Sequence, residues 1–355
     1  MTAPAARTWP RLLATLLRGE DLTADDTRWA MGEVMHDAHD PVSFAAFLVA
    51  LRAKGETAAE ISGLLDALMD RVVPLPDVNG RDVVDIVGTG GDGAHTVNIS
   101  TMAAIVTAAA GAPVVKHGGR SVSSKAGSAD VLEALGIPLY LGPDQVAQCV
   151  SNLGIAFTFA PAFHHGLRHA SPIRRTLGVP TAINYLAPLT NPALPGAALV
   201  GCSNLSLAPV LAAVLAERGA SALVVRGHDG LDEITTAAPT DVWTTTATGD
   251  VIRTSIDTHR FGLSRPDPDA LRGGNAAYNA TAVHTMLSGA PGAARDAVLA
   301  NAAGALAAHS GAVTDLATFE DAFVDGLNRA RTAVDSGAAA TLLDRWVKLA
   351  TSLAD

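Results

Sequence analysis

Between residues 83 and 227 four short runs, VVDIVG, APVVKHG, IAFTFAP and SALVVRG, recur with Ala-rich helical stretches between them. Runs this short and this uniformly apolar read as strands covered by helices on both faces, the pattern of a mainly parallel α/β sheet. Upstream, from Trp9 to about Val73, the rhythm differs. The segments LLATLLRG, TADDTRWAMGEVM, PVSFAAFLVALRAKG and TAAEISGLLDALMDRV carry apolar residues at three- and four-residue spacing, divided by Gly and Asp stops. They predict a small helical unit. Thr57, three residues before Glu60, supplies a capping box for its last helix. The basic stretch HHGLRHASPIRRTLG interrupts the later alternation and itself reads as helix. The expected organisation is therefore a small helical domain over residues 1–76, completed by an excursion near 164–192, and a large α/β domain over 77–355. The tail from about Ala293 is expected to be helical and to pack on the outside of the sheet.

Composition narrows the partners. The chain has 355 residues, long enough for a large core, and carries 25 Lys and Arg against 35 Asp and Glu, a net charge of -10. That balance argues against a broad nucleic-acid or lipid-headgroup footprint, so any basic cluster stands out. Cys149 and Cys202 lie far apart, match no metal spacing and read as core thiols in a reducing compartment. The opening MTAPAARTWPRLLATLLRGED has too short an apolar stretch for a signal peptide, and MAAIVTAAAGAPVV is broken by Gly111 and Pro113 well short of a membrane span. A cytoplasmic protein with neither membrane nor nucleic acid as partner is expected.

Three loops carry chemistry. DIVGTGGDGAHTVNIST places a glycine-rich turn directly after a strand. Gly88, Gly90 and Gly93 satisfy G-x-G-x-x-G, but the following strand ends in Lys116 and His117, not in the acidic residue that a dinucleotide site needs. No G-K-[ST] follows either. What remains is a loop whose backbone N–H groups approach an anion, with Asn98, Ile99, Ser100 and Thr101 at the start of the next helix, where free amides and the dipole favour phosphate. The second loop, KHGGRSVSSKAGSAD, adds the cations Lys116, Arg120 and Lys125 and the hydroxyls of Ser121, Ser123, Ser124 and Ser128. Asp130 and Glu133 are read as a capping box for the helix that ends at Gly136. The third, VVRGHDGLDEITT, brings Asp229, Asp232 and Glu233 to the same rim. Carboxylates beside two phosphate loops call for a divalent cation between them, and Mg²⁺ suits that setting.

Together these motifs resemble the anthranilate phosphoribosyltransferase family. FLVALRAKGETAAEISGL is similar to its helical signature, GTGGDGAHTVNIST to its diphosphate loop, KHGGRSVSSKAGSADVLEALG to its second substrate loop, LTNP to the segment after its acceptor region, and GHDGLDEITT to its metal loop. The resemblance implies a small all-helical N-terminal domain plus a large α/β domain with a mainly parallel central sheet, the nucleoside phosphorylase-like architecture. It also implies a homodimer formed through the helical domains. The activity it implies is Mg²⁺-dependent transfer of the 5-phosphoribosyl group from phosphoribosyl diphosphate to the amine of anthranilate, releasing pyrophosphate, in tryptophan biosynthesis. Carried over by position, Gly88, Gly91, Asp92, Thr96, Asn98, Ile99, Ser100 and Thr101 would contact the donor, as would Lys116, His117, Gly118, Gly119, Arg120, Ser121, Val122, Ser123, Ser124 and Ser128. Ser100 and Glu233 would bind one Mg²⁺ and Asp232 with Glu233 a second. No dedicated nucleophile or acid–base residue is expected, because offsetting charge on the leaving pyrophosphate matters more than proton transfer.

On the acceptor side Gly88, His117, Gly119, His164 and Arg174 match family positions that face anthranilate, and Arg174 suits a carboxylate. His165 and His169 have the spacing of a zinc pair, but Gly166 stands where H-E-x-x-H needs glutamate and no third ligand is evident. The family typically reads K-H-G-N-R, whereas this chain has Gly119. It typically reads F-N-x-L-G-P-L, whereas this chain has Ile183 and Ala187. These departures keep open a paralogue using another aromatic acceptor, a non-catalytic binder of the donor, and a nucleoside phosphorylase, the last opposed by the acidic DGLDE loop.

Overall fold

The computed structural model describes residues 6–78, 82–121, 124–246 and 248–354. Four helices open the chain: α1 (Trp9–Leu17), α2 (Ala24–Met35), α3 (Pro41–Lys54) and α4 (Ala58–Met69). Thr57 and Glu60 cap α4 reciprocally, and Glu60, fully buried, also accepts from Leu22 N at 2.9 Å and Lys54 Nζ at 2.9 Å. One carboxylate thus satisfies a helix start and ties it to its neighbours.

Alternation begins at β1 (Val84–Gly88), followed by α5 (Ile99–Ala109), β2 (Val114–Gly118), α6 (Ser128–Ala134), α7 (Pro143–Leu153) and β3 (Ile155–Phe159). An excursion through α8 (Ala160–Phe163), α9 (Leu167–Leu177) and α10 (Ala182–Leu186) leads back to β4 (Ala197–Gly201), α11 (Ala208–Glu217), β5 (Ser221–Gly227), β6 (Thr240–Thr245) and β7 (Val251–Ile256). The chain closes with α12 (Ala276–Leu287), α13 (Ala293–Ser310), α14 (Leu316–Asp335) and α15 (Ala338–Ala354). The seven strands run in the order β3-β2-β1-β4-β5-β6-β7, parallel from β3 through β5 and antiparallel at β6 and β7.

Strand periodicity separates two cores. Ile86, Leu199 and Leu223 face a core shared with α5, α13 and α14, while Val87, Val200 and Val224 face one shared with α11 and the N-terminal helices. Ala170, Ala182, Ile183 and Leu186 join that second core, and α9 and α10 pack on α2, α3 and α4. The tail is helical as expected, but α13 does not lie outside. Every residue from Ala297 to Ala308 is buried, because its small side chains let it press between the sheet and α14. Strand β4 and the β6–β7 hairpin are absent from the strand runs read above. AALVG is short and Ala-rich, and TDVWTT mixes polar with apolar residues, so neither announces a buried strand.

Candidate active site

Strands β1 and β4 are neighbours, yet the chain leaves β1 toward β2 and leaves β4 toward β5, on opposite sides. A crevice opens at the carboxyl ends of strands where the order reverses in this way. Both strands end in glycine, and the turn after β5 lies across them. A Cβ at Gly88 would overlap the Asp232 carboxylate, and one at Gly201 would overlap the Asp232 backbone carbonyl. Close approach, not an unusual φ, therefore demands glycine at both positions. The loop after β1 is tied down by Gly90 N donating to Asp232 Oδ2 at 2.6 Å, Thr89 N to Gly201 O at 2.9 Å and Ser203 Oγ to Gly90 O at 2.8 Å. Gly90, Gly91 and Gly93 have positive φ, which lets successive amides turn inward.

Asp232 is buried and Glu233 partly so, and both carboxyls are held well above the usual range, first by withdrawal from water and then by negative neighbours that include Asp92. The Ser100 backbone amide, in the first turn of α5, partly offsets that rise at Glu233. Lys116 lies beneath them, 2% exposed, donating to Ile86 O and to Ser100 Oγ at 3.2 Å. Burial lowers its pKa, and Asp85, Glu233 and Asp232 counteract that. Among the described residues no three His, Cys, Asp or Glu side chains form a closed metal cage. Asp232 and Glu233 beside the Ser100 hydroxyl make an open set of hard oxygen donors with excess negative charge, which fits Mg²⁺ completed by phosphate oxygens. The Thr101 hydroxyl, one residue on in α5, is buried without a hydrogen-bond partner, a polar atom that a ligand oxygen would satisfy. Asp229 does not join the acids. Its carboxylate accepts from Leu231 N at 3.2 Å and Thr235 Oγ1 at 2.7 Å, holding the turn that aims Asp232 and Glu233.

The second loop folds over the start of α6. Helix α6 begins at Ser128, so Asp130 is not its cap but its third residue, and its carboxylate accepts from Gly127 N at 2.8 Å and Ser121 N at 3.1 Å. Glu133 does not complete a box. It binds Arg120, which also meets Asp130 at 2.8 Å and covers the Phe159 ring. Ser121 and Ser124 bond to each other. Val122 and Ser123, both expected at the donor site, lie outside the described residues.

Toward the excursion, His117 and His164 meet edge to face with centroids 5.2 Å apart. His117 Nδ1 faces Thr158 O at 3.0 Å, which makes it the protonated nitrogen, and Nε2 lies 3.3 Å from Thr190 Oγ1, whose hydroxyl donates to Ala187 O at 3.0 Å. Burial, then His164, pushes its pKa down to about 3, so the ring is neutral. Arg174 Nε is buried on α9 without a partner, and burial lowers the guanidinium's pKa. His169 is taken by Asp37 at 3.0 Å. Ile183 belongs to the helical core at 2% exposure, so Gly119, which lacks a side chain, and the exposed Ala187, which adds a methyl, are the departures near the surface.

Two contributors were not singled out from the sequence. Buried Asp85 accepts from His117 N at 3.1 Å and Asn191 Nδ2 at 2.8 Å, linking the second loop to the LTNP segment. Burial pushes its pKa up to about 6. A charged residue inside an apolar strand run was the available signal. The other, Asn279, sits in an alanine-rich helix that carried no motif.

Comparison with known proteins agrees with this geometry. Residues 80–340 match the α/β domain of a glycosyl transferase family, and residues 10–72 match that family's helical bundle domain. The anthranilate phosphoribosyltransferase of Salinispora arenicola is 55% identical over 97% of this chain and 97% of its own. The solved structure of the Thermus thermophilus enzyme of that name superposes with a TM-score of 0.87 at 36% identity, covering 96% of this chain and 99% of that one. The Saccharomyces cerevisiae enzyme, solved in complex with phosphoribosyl diphosphate and Mg, gives 0.86 at 26% identity, covering 97% and 98%.

Proposed function

This chain belongs to the anthranilate phosphoribosyltransferase family, and we propose on that premise that it transfers the 5-phosphoribosyl group from phosphoribosyl diphosphate to the amine of anthranilate. The bond from the anomeric carbon to the diphosphate oxygen breaks, a carbon–nitrogen bond forms, the amine loses a proton and pyrophosphate leaves. The observation that carries this reading is the convergence at the β1–β4 crevice of a glycine loop with positive φ, the first turn of α5 and the Asp232–Glu233 pair. The loop after Gly90 and the first turn of α5 bind the diphosphate. Ser100, Asp232 and Glu233 would hold Mg²⁺, at two positions in our reading, and the ion when bound offsets charge on the leaving group. Arg174 receives the acceptor carboxylate, and neutral His117 and His164 line its ring without adding like charge. No side chain is assigned as acid, base or nucleophile.

We assign residues 1–76 with 164–192 to the helical domain and 77–355 to the α/β domain. Among the described residues no helix is long and apolar enough to cross a membrane, and we place the enzyme in the cytoplasm. A second reading, a different aromatic amine as acceptor, is favoured by Gly119 and Ala187. Pyrophosphate release, followed with phosphoribosyl diphosphate, Mg²⁺ and a panel of aromatic amines, decides between them. Anthranilate should be consumed one for one with pyrophosphate formed, and faster release with another amine would transfer the assignment to it. Asp232→Asn and Glu233→Gln should each cut turnover severely and raise the Mg²⁺ requirement. Wild-type rates in both would remove the metal role.

A further inference from the structure

The segment before α12 returns to the diphosphate loop and holds it from outside. Val97 N donates to Leu271 O at 2.9 Å, Gly273 N donates to His95 O at 2.8 Å, and Thr96 forms an isolated antiparallel bridge with Arg272. The fit is close, since a Cβ at Gly273 would lie 2.6 Å from the Thr96 carbonyl oxygen. His95 has φ +52, a conformation costly for a non-glycine residue and kept where its surroundings over-determine it. Asn279, 1% exposed on α12, reaches the same place. Its oxygen accepts from Gly274 N at 2.8 Å, and its nitrogen donates to Asn98 Oδ1 at 2.7 Å. Asn98 passes the link on, donating Nδ2 to Ala126 O at 3.1 Å in the second loop. Its side chain caps nothing in α5, where Ile99 N instead donates to Val97 O at 2.7 Å.

Two carboxamides thus join three segments far apart in sequence, and the two loops they join are those a phosphorylated sugar must bridge. We propose that Asn279 is a positioning residue for the donor substrate, acting through Asn98 to set the spacing between the diphosphate loop and the second loop. The inference rests on the reading of this crevice as the phosphoribosyl diphosphate site. Misplacing a binding group by about 1 Å can cost roughly a hundredfold in rate. Removing the link should therefore weaken donor handling while sparing the acceptor.

The test measures calorimetric binding of phosphoribosyl diphosphate with Mg²⁺, steady-state kinetics for both substrates and urea unfolding midpoints. It uses the full chain and its Asn279→Ala, Asn98→Ala and double variants. Asn279→Ala should bind the donor roughly tenfold more weakly or worse, with the anthranilate KM changed by less than about twofold. The double variant should be no worse than the weaker single one, because the two residues act as a unit. Unchanged donor affinity, losses that multiply in the double variant, or equal loss toward both substrates tracking a lowered unfolding midpoint would overturn the proposal. Should the alanine variant not fold, Asn279→Asp keeps the oxygen that faces Gly274 and removes the donor to Asn98, and the same outcomes apply. Wild-type protein that binds the donor without transferring to anthranilate counts against the acceptor assignment alone, and the positioning role is then read from binding. Wild-type protein that fails to bind the donor overturns both.

Discussion

A side chain built at Gly119 meets no atom within 4 Å, and its φ lies outside the left-handed region. Nothing in the backbone requires glycine there, which favours a lost acceptor contact over a backbone role. Gly119→Asn should raise kcat/KM for anthranilate by about 5- to 150-fold, the worth of one hydrogen bond to a charged partner, with phosphoribosyl diphosphate KM nearly fixed. Poorer donor binding in that variant would point back to a backbone role. Gly201 is the opposite case. Its missing Cβ is occupied by the Asp232 backbone, which cannot swing aside as a side chain can. Gly201→Ala should therefore cost about 1–3 kcal/mol in urea unfolding and abolish Mg²⁺-dependent turnover, exceeding the loss in Gly88→Ala, where the clash is with the Asp232 carboxylate. Equal losses in the two variants would contradict this.

Strand β2 carries titratable groups into the interior, and that makes stability depend on pH. The unfolded chain binds a proton at His117 near the ordinary 6.5, whereas burial, with His164 beside it, delays that proton in the folded state to about 3. Its contribution is whole above about pH 6.5 and is lost as pH falls toward 3. His164, also pushed down by burial, acts in the same direction. Asp85 acts oppositely. Its folded pKa is raised by burial to about 6, so the folded state takes up this proton first and gains some stability as pH falls from about 6 toward 4. In denaturant unfolding at stepped pH, His117→Asn should lose less stability than the wild type as pH falls from 6.5 toward 3. A slope unchanged in the variant would mean that His117 titrates as an exposed imidazole. The strand itself was legible from APVVKHG, but the neutral state of its histidine was not, because that state follows from partners brought in at Thr158 and Thr190.

For the whole molecule, α1 and α3 pack together and leave Leu17 79% and Val42 77% exposed, with Val49 at 45%. Apolar side chains this open on adjoining helices suit burial against a second copy, consistent with a homodimer through the helical domain. Light scattering should give a dimer for the wild type and a monomer for the Leu17→Asp, Val42→Asp double variant. A monomeric wild type, or a double variant that remains dimeric, would remove this face from the interface.

What the sequence determined by itself was local. Repeating apolar spacing, the Thr57–Glu60 box and the glycines that end VVDIVG, APVVKHG and SALVVRG specify elements and turns through interactions a few residues long, and the ordered motifs identified the three loops. The helices between β3 and β4 were visible as well, because a basic helical stretch broke a strand–helix rhythm. Tertiary structure decided what those loops do to one another. Asp232 fills the space denied to side chains at Gly88 and Gly201, and Gly90 meets it across 142 residues of chain. Arg120 and Glu133 pair across a loop that suggested a free cation and a helix cap, and Asn279 reaches Asn98 from 181 residues away. Such contacts depend on strand order and on which face of a helix turns inward. Local propensity fixes neither, because both are set by burying two apolar faces of one sheet at once.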